Sequence, residues 1–263
     1  MRERYGPWAL VAGASEGTGA AFARQLAAEG FDLILIARRE GPLEELAGEL
    51  THDHGVACVT GSIDLALPDA ADRMAELAGG REVGLLILNA GADSVGARFL
   101  DGGLENWEAL VTRNVMTVMR ACHRFAPPMR ERGRGGIMLV GSGACYGGLP
   151  GIAAYSGSKA FDLVFGEALW AELKPHGVDV LNLILGRTDT PAHRELMERM
   201  GRPFPTDCAA PEDVAAMGLA RMAQGPVCNW GLADEDVGYA GTSAAMRRAR
   251  IVQIAAAMAG QEA

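Results

Sequence analysis

The chain has 263 residues, of which 49% are hydrophobic and 35 are glycine, and it carries a net charge of −9. A single doubly wound or barrel domain commonly reaches this length, and the apolar content suffices for a buried sheet with covering helices, so residues 1–263 read as one domain. The acidic balance argues against nucleic acid as a partner, because a phosphate backbone needs a cationic footprint.

In chain order, Trp8 to Val11 reads as a short buried strand that runs into Ala12-Gly13-Ala14-Ser15-Glu16-Gly17-Thr18-Gly19 and then an apolar helix beginning near Ala20. Glycines at these positions let the backbone turn sharply and approach a pyrophosphate, whose charge meets free amides and the positive helix end. The spacing is Gly-x-x-x-Gly-x-Gly, and a bare turn would also explain it. Further strands are read at Asp32 to Ala37, Val56 to Gly61, Leu85 to Asn89, Ile137 to Val140 and Asp179 to Leu185, each separated from the next by a helical pattern. Continuous apolar runs joined by helix-length crossovers imply parallel strands buried on both faces. The fold class is therefore α/β, a doubly wound parallel sheet of about seven strands with helices on both faces, and ligands bind at the carboxyl ends of its strands.

Two short stretches carry the chemistry. In Tyr155-Ser156-Gly157-Ser158-Lys159, residues four apart share one helical face, about 6 Å apart along the axis, so Lys159 can sit beneath the Tyr155 ring. Making a phenol that ionises near pH 10 usable at neutral pH takes about 4 kcal/mol, and a nearby ammonium supplies that direction. Ser142 closes the strand just upstream. Taken alone, the Tyr–Lys spacing would be an ordinary amphipathic helix pair, Ser142 a turn hydroxyl and Asn114 a helix-interior amide.

Together these residues resemble the short-chain dehydrogenase/reductase family over about Tyr5 to Pro191: the glycine turn, Asn89-Ala90-Gly91 after a strand, Asn114 on a long helix, then Ser142, Tyr155 and Lys159, in the family's order. Tyr5-Gly6-Pro7-Trp8 and Ala37-Arg38-Arg39-Glu40 look further like the hydroxysteroid dehydrogenase branch, particularly 7-beta-hydroxysteroid dehydrogenases. The resemblance implies a Rossmann-type fold and an NADP(H) or NAD(H) cofactor over the carboxyl edge of the sheet. It implies that Tyr155 is the general acid in ketone reduction and general base in alcohol oxidation, and that Ser142 hydrogen-bonds the same oxygen. Lys159 would hold the nicotinamide ribose and lower the Tyr155 pKa, while Asn114 would position a water behind it. Gly13, Gly17 and Gly19 would let the backbone approach the pyrophosphate, with Ser15, Glu16 and Thr18 of the same turn among the cofactor-binding residues, Ser15 adding a hydroxyl for a 2′-phosphate. Asn89, Ala90 and Gly91 would form a cofactor wall, and Gly186, Thr188 and Thr190 would reach the nicotinamide amide. Asp64 would stand near the adenine, though it could equally cap the next helix.

Cofactor choice turns on the end of the second strand, where an acidic residue would favour NAD. Ala37 is neutral there, and Arg38 and Arg39 can make charge-assisted bonds to a 2′-phosphate, which favours NADP(H). Glu16 works against this, since many NADP-preferring relatives carry a basic residue at that position. Three further departures stand out. Leu185 precedes Gly186 where the family has proline, Ala12 replaces a threonine, and the usual closing strand with its Gly-Gly turn is missing. In its place lie Pro226-Val227-Cys228-Asn229-Trp230 and a helical tail near Thr242 to Met258, within a tail region of 231–263.

Residues 187–210 are read as a substrate lid, in which Met197, Met200, Phe204 and Cys208 would suit a mobile apolar cover or else the buried face of a small helix. Asp93, Cys145, Tyr146 and Leu149 are expected to face the pocket. The substrate read from this is a small-molecule ketone or secondary alcohol, mainly apolar and possibly steroid-like. A non-redox family member, such as an epimerase or dehydratase, and a non-catalytic NADP-binding sensor remain as alternatives. The five cysteines, Cys58, Cys122, Cys145, Cys208 and Cys228, lack zinc spacing and fit reduced thiols in the cytoplasm. His52 and His54 flank Asp53 on what reads as a solvated helix end, so no metal is expected. Met1 to Tyr5 and the short run after it match neither a signal peptide nor a membrane span. The long helices around Asn106 to Arg132 and Tyr155 to Lys174 are those that relatives pair across a two-fold axis, so a homodimer or homotetramer is expected.

Overall fold

A computed structural model of the chain describes residues 1–93, 95–233, 236 and 253. Seven strands form one parallel sheet in the order β3-β2-β1-β4-β5-β6-β7: β1 (Trp8–Ala12), β2 (Asp32–Ala37), β3 (Cys58–Ser62), β4 (Val83–Leu88), β5 (Gly135–Ser142), β6 (Val178–Leu185) and β7 (Val227–Asn229). The order reverses between β1 and β4, which opens a crevice at the carboxyl edge where the two halves of the sheet diverge. The inner strands β1, β2, β4, β5 and β6 are buried on alternating faces by two separate apolar clusters, while β3 at the sheet edge is only half-buried. Val11, Leu33, Leu35 and Ile87 pack with Phe22, Leu26, Leu43 and Leu50 on one side. Leu10, Ile34, Ile36 and Leu86 pack with Met74, Phe125 and Met129 on the other. The continuous Leu/Ile/Val runs thus mark strands covered on both faces, as expected for an all-parallel sheet.

The helices that cover the first face are α2 (Gly17–Ala28) and α3 (Glu40–His54), with α9 (Pro211–Arg221) against α2. On the second face lie α4 (Ala70–Ala78), α6 (Thr117–Arg132) and α7 (Ala153–Leu173), with α5 (Leu104–Val111) leading into α6. Helix α1 (Arg2–Tyr5) is tied to the amino end of β6, where the Tyr5 hydroxyl donates to Asp179 Oδ2 at 2.7 Å and burial pushes the phenol well above its ordinary pKa. Between α5 and α6 the chain makes one π-helical turn, Thr112–Met116, and Asn114 lies in it. Such turns arise where an extra residue is accommodated in a helix, often at functional positions.

Several sequence-based boundaries shift. The apolar helix starts at Gly17, three residues before Ala20, so the last two glycines of the loop are already helical. β4 runs Val83–Leu88 and stops short of Asn89, while β5 extends at both ends to Gly135 and Ser142, so that all eight of its residues pair with β6. The missing closing strand is supplied by Val227–Asn229, whose three residues pair in parallel with Asn182, Leu183 and Ile184. The tail at 242–258 lies outside the described residues apart from Gln253. His52 and His54 are exposed on the last turn of α3. Among the described residues no helix is long and apolar enough to cross a membrane.

Candidate active site

The glycine turn sits at the crevice because Gly13 and Ala14 both donate to Ile36 O, at 2.7 and 3.0 Å, which bends the chain over the end of β2. Its glycines are required by space and conformation. A Cβ on Gly13, whose φ is +86°, would meet the Ala90 backbone at 2.9 Å. One on Gly19 would lie 1.8 Å from Gly13 O, a contact no side chain survives. Gly17 (φ +54°) faces the Thr190 side chain, and a Cβ there would sit 2.9 Å from the methyl. Thr18 is buried beneath the turn and Ser15 is half-buried on it. Asn89 Nδ2 donates to Gly13 O at 3.0 Å, and Asn89 and Ala90 N–H groups both donate to Ala12 O. Asn89 therefore braces the turn from the neighbouring strand end.

At the end of β2, the two arginines behave differently. Arg39 is engaged by Glu16 of the glycine turn through a close guanidinium–carboxylate contact, both groups reaching solvent. Arg38 is exposed, and its guanidinium has no hydrogen-bond partner among the described residues. The pair expected to act together thus resolves into one free cation and one already neutralised by the residue that weighed against NADP(H). Asp64 follows β3 and accepts from Ala66 N at 2.9 Å, forming a local turn, and α4 begins only at Ala70 with Asp69 before it. It is not a helix cap.

Deeper in the crevice, the elements that carry Ser142, Tyr155, Lys159 and Asn114 meet: α7 packs against β5, the turn after Ser142 and the π-helical turn. Ser142 ends β5, and its Oγ accepts from Ala144 N at 3.3 Å, which holds the hydroxyl at the strand's carboxyl edge. Asn114 is fully buried, donating to Gly91 O at 3.3 Å and to Ser158 Oγ at 3.0 Å. Ser158 in turn donates to Tyr155 O at 2.8 Å, so the π-helical turn is stitched to the helix turn that carries the phenol. Lys159 lies against Gly91, where an added Cβ would stand 2.7 Å from Nζ. Its Nζ donates to Val140 O at 2.9 Å and to Asp162 Oδ2 at 3.0 Å. Burial would lower the Lys159 pKa, but the charges on Asp162 and Tyr155 and the Asp162 hydrogen bond carry it above the ordinary lysine value. The site therefore holds an ammonium.

Two site residues were missed by sequence reasoning. Asp162 is the buried counter-ion of Lys159, signalled only by its i,i+3 spacing. Arg113, next to Asn114, donates from Nε to Asn114 Oδ1 at 3.1 Å and from Nη2 to Ala92 O at 2.9 Å. Burial, followed by the nearby Arg38, lowers its pKa, and Asp64, Asp93 and Tyr155 pull it back. Its adjacency to Asn114 is no signal without knowing that the helix widens there.

The rim is built from three loops. Asp93 Oδ1 accepts from Val95 and Gly96 N–H at 2.9 and 3.2 Å, shaping the loop after β4. Cys145 is buried and Leu149 half-buried in the loop after β5, while the Tyr146 hydroxyl hydrogen-bonds Asn229 Oδ1 at 2.6 Å, directed to β7. After β6, Thr188 Oγ1 donates to Gly186 O at 3.4 Å, and Thr190 Oγ1 accepts from His193 N at 3.2 Å as N-cap of α8 (Pro191–Arg199). No residue of α8 is fully buried, and Met197 and the C-cap Met200 are half-buried, so they do not form a core face. Leu196 and Met200 instead lie over Gly96, within 2.7 and 3.8 Å of where a Cβ would stand. The segment thus runs from the glycine turn at Gly17 to the loop after β4, across the crevice. Phe204 packs against His193 and under the Arg194 guanidinium, and Cys208 Sγ donates to Pro205 O.

A doubly wound sheet with a glycine turn at its switch point, and with Ser142, Tyr155 and Lys159 carried by elements that meet at its carboxyl edge, fits a dinucleotide-linked oxidoreductase class. The family model described as short chain dehydrogenase matches residues 7–201. The chain belongs to the short-chain dehydrogenase family. It is 34% identical over 192 residues to a 7beta-hydroxysteroid dehydrogenase of Collinsella aerofaciens, a match covering 73% of each chain. It is also 40% identical over 179 residues to a very-long-chain 3-oxoacyl-CoA reductase of Neurospora crassa, covering 66% of this chain and 54% of that protein. The chain thus spans about half the length of such reductases. Among solved structures, one of a 7beta-hydroxysteroid dehydrogenase superposes with a TM-score of 0.82 at 27% identity, covering 97% of this chain and 98% of that one. A short-chain dehydrogenase from Sphingobium yanoikuyae in complex with NADPH superposes with a TM-score of 0.77 at 28% identity, covering 96% and 95%.

Proposed function

We propose that the protein is an NADP(H)-dependent oxidoreductase that interconverts a ketone and a secondary alcohol on a bulky, mainly apolar substrate, with Tyr155 as general acid and base. The observation that supports the reading is that Asn114 and Lys159 are buried and hydrogen-bonded into position, Asn114 to the helix turn that carries Tyr155 and Lys159 to Val140 O two residues before Ser142. When bound, the dinucleotide supplies the hydride. The chain's own groups handle the proton: Tyr155 gives it to the developing alkoxide, and Ser142 hydrogen-bonds the same oxygen. Lys159 favours the phenolate left behind, and Asn114 fixes the π-helical turn behind that relay.

The residues fit such a cofactor. The turn at Gly13, Gly17 and Gly19 has no room for side chains and presents backbone to a pyrophosphate. Arg38 is a free cation at the end of β2, suited to a 2′-phosphate, and NADP-bound relatives support the choice. Lys159 keeps one N–H uncommitted for ribose hydroxyls. Gly186, Thr188 and Thr190 would meet the nicotinamide end, and Asp64 the adenine end.

A steroid-like or long-chain substrate is favoured by the relatives, whose names specify a hydroxysteroid and a very-long-chain 3-oxoacyl-CoA. Leu196 of α8 and Met200 just after it, set across the crevice, suit residues 187–210 to a lid role over such a body. Exposed Leu104 and Val111 on α5 and Val164 on α7 support pairing of these helices in a homodimer or homotetramer, and five free cysteines support a reducing, cytoplasmic setting. The test is consumption of NADPH, beside NADH, with steroid, aromatic, aliphatic and sugar-derived ketones. Turnover of a bulky apolar ketone with NADPH preference is expected; NADH preference, or turnover restricted to sugar-derived ketones, would contradict the reading.

A further inference from the structure

Two of the three N–H groups on Lys159 are spent on the protein, one on the Val140 carbonyl and one on Asp162, and both residues of the ion pair are almost completely buried. The second Asp162 oxygen, Oδ1, is also buried and has no hydrogen-bond donor among the described residues. Burial raises the Asp162 pKa, and the Lys159 charge and hydrogen bond oppose that shift, so the carboxylate depends on the ammonium; in a dry interior the fields of both reach farther than in water. Asp162 follows Tyr155 by seven residues, two helical turns, so both acidic groups act on the same ammonium from opposite sides along α7.

We propose that Asp162 is a positioning residue that anchors Lys159 at the floor of the site and offsets the charge that Lys159 exerts on Tyr155, setting the pH range over which the phenol gives and takes its proton. The inference rests on the reading of Tyr155 as the general acid and base. The other groups facing the pair are Tyr155 on the same helix, Arg113 from the π-helical turn and Cys122 from α6. Burial, with the Asp162 charge adding to it, pushes the Cys122 thiol up to about 12, so it stays neutral across the working range. Arg113 stays cationic at neutral pH and does not change with Asp162. The Asp162 carboxylate is therefore the only anion among these partners set directly on Lys159 that a single substitution removes.

The experiment needs no substrate. Phenolate absorbance is followed against pH in the full chain, with the matching Tyr155→Phe protein subtracted, for wild type, Asp162→Asn, Asp162→Ser and Asp162→Glu. Loss of the anion in Asp162→Asn is expected to move the Tyr155 midpoint down by about 1 pH unit, with Asp162→Glu returning it toward wild type. With NADPH and a ketone that the wild type reduces, the alkaline limb of the reduction rate should move down by the same amount. A folded Asp162→Asn or Asp162→Ser protein whose midpoint is unchanged or raised overturns the proposal. So does failure of both to fold by circular dichroism, which would leave the carboxylate a structural partner only. The oxidoreductase reading fails separately, if the wild type turns over no ketone while the absorbance shift is present.

Discussion

The crevice is bounded by two cation–carboxylate pairs, Arg39–Glu16 at the surface over the end of β2 and Lys159–Asp162 at the floor beside β5. Each pairs a cation that the proposed function sets beside a dinucleotide, yet they differ in what surrounds them. The outer pair reaches solvent on both sides, where such contacts contribute about 0–1 kcal/mol and are screened by salt. The inner pair is buried, so separating it leaves an uncompensated charge at a cost of about 3–5 kcal/mol. On the proposed function, the same kind of contact would be an adjustable brake on cofactor recognition at one end and a fixed part of the site floor at the other.

The comparison can be broken most severely at the floor. Tyr155→Phe removes the transferable proton and nothing from either pair, so turnover should fall by about 100-fold to 10,000-fold while NADPH affinity, read by fluorescence titration, stays nearly unchanged. Lys159→Met strands the Asp162 carboxylate and should lower unfolding stability by several kcal/mol in denaturant titration, whereas Lys159→Met with Asp162→Asn should recover much of it. The pH dependence has a definite sign. Because the Lys159 pKa is raised on folding, its stabilisation is complete below its unfolded value near 10.5 and is lost as pH rises through the higher folded value. The midpoint temperature of wild type should therefore fall more steeply in alkali than that of the double variant.

At the outer end the effects shrink. Arg38→Ala should lower NADPH affinity by about tenfold with little change for NADH, because a free guanidinium loses a charge-assisted contact to the 2′-phosphate. Arg39→Ala should cost less, since that cation is already met by Glu16. Glu16→Gln should raise NADPH affinity about twofold to fivefold at low salt, a gain that fades as ionic strength rises. Equal losses for NADPH and NADH in Arg38→Ala would remove the 2′-phosphate argument.

Much of this arrangement was legible in the chain. Of the six strands read from sequence, β1, β2, β4, β5 and β6 carry apolar runs, where burial on both faces leaves no polar alternation to confuse them; β3, Cys58–Ser62, is half-buried and was read two residues early at its start. β7 escaped because it has three residues, Val227, Cys228 and Asn229, follows a proline, and owes its existence to pairing with β6. The early start of α2 escaped because Gly17 and Gly19 are poor helix formers, admitted there by tight packing on Gly13 and Thr190. Tyr155 and Lys159 were legible because helical periodicity places them together. Asp162 has the same periodicity relative to Lys159, but charged pairs at that spacing usually lie on solvated faces, and only the fold reveals that this face of α7 is buried. Arg39 and Glu16 lie 23 positions apart, and their contact follows from the turn over β2, which no local pattern encodes.

The measurement that bears most directly on the account is NADPH consumption with a bulky apolar ketone, run in parallel for wild type and Tyr155→Phe at matched cofactor occupancy. Turnover by wild type and its loss in Tyr155→Phe, with NADPH binding retained, is the predicted result; a Tyr155→Phe protein that turns over as fast as wild type would contradict it.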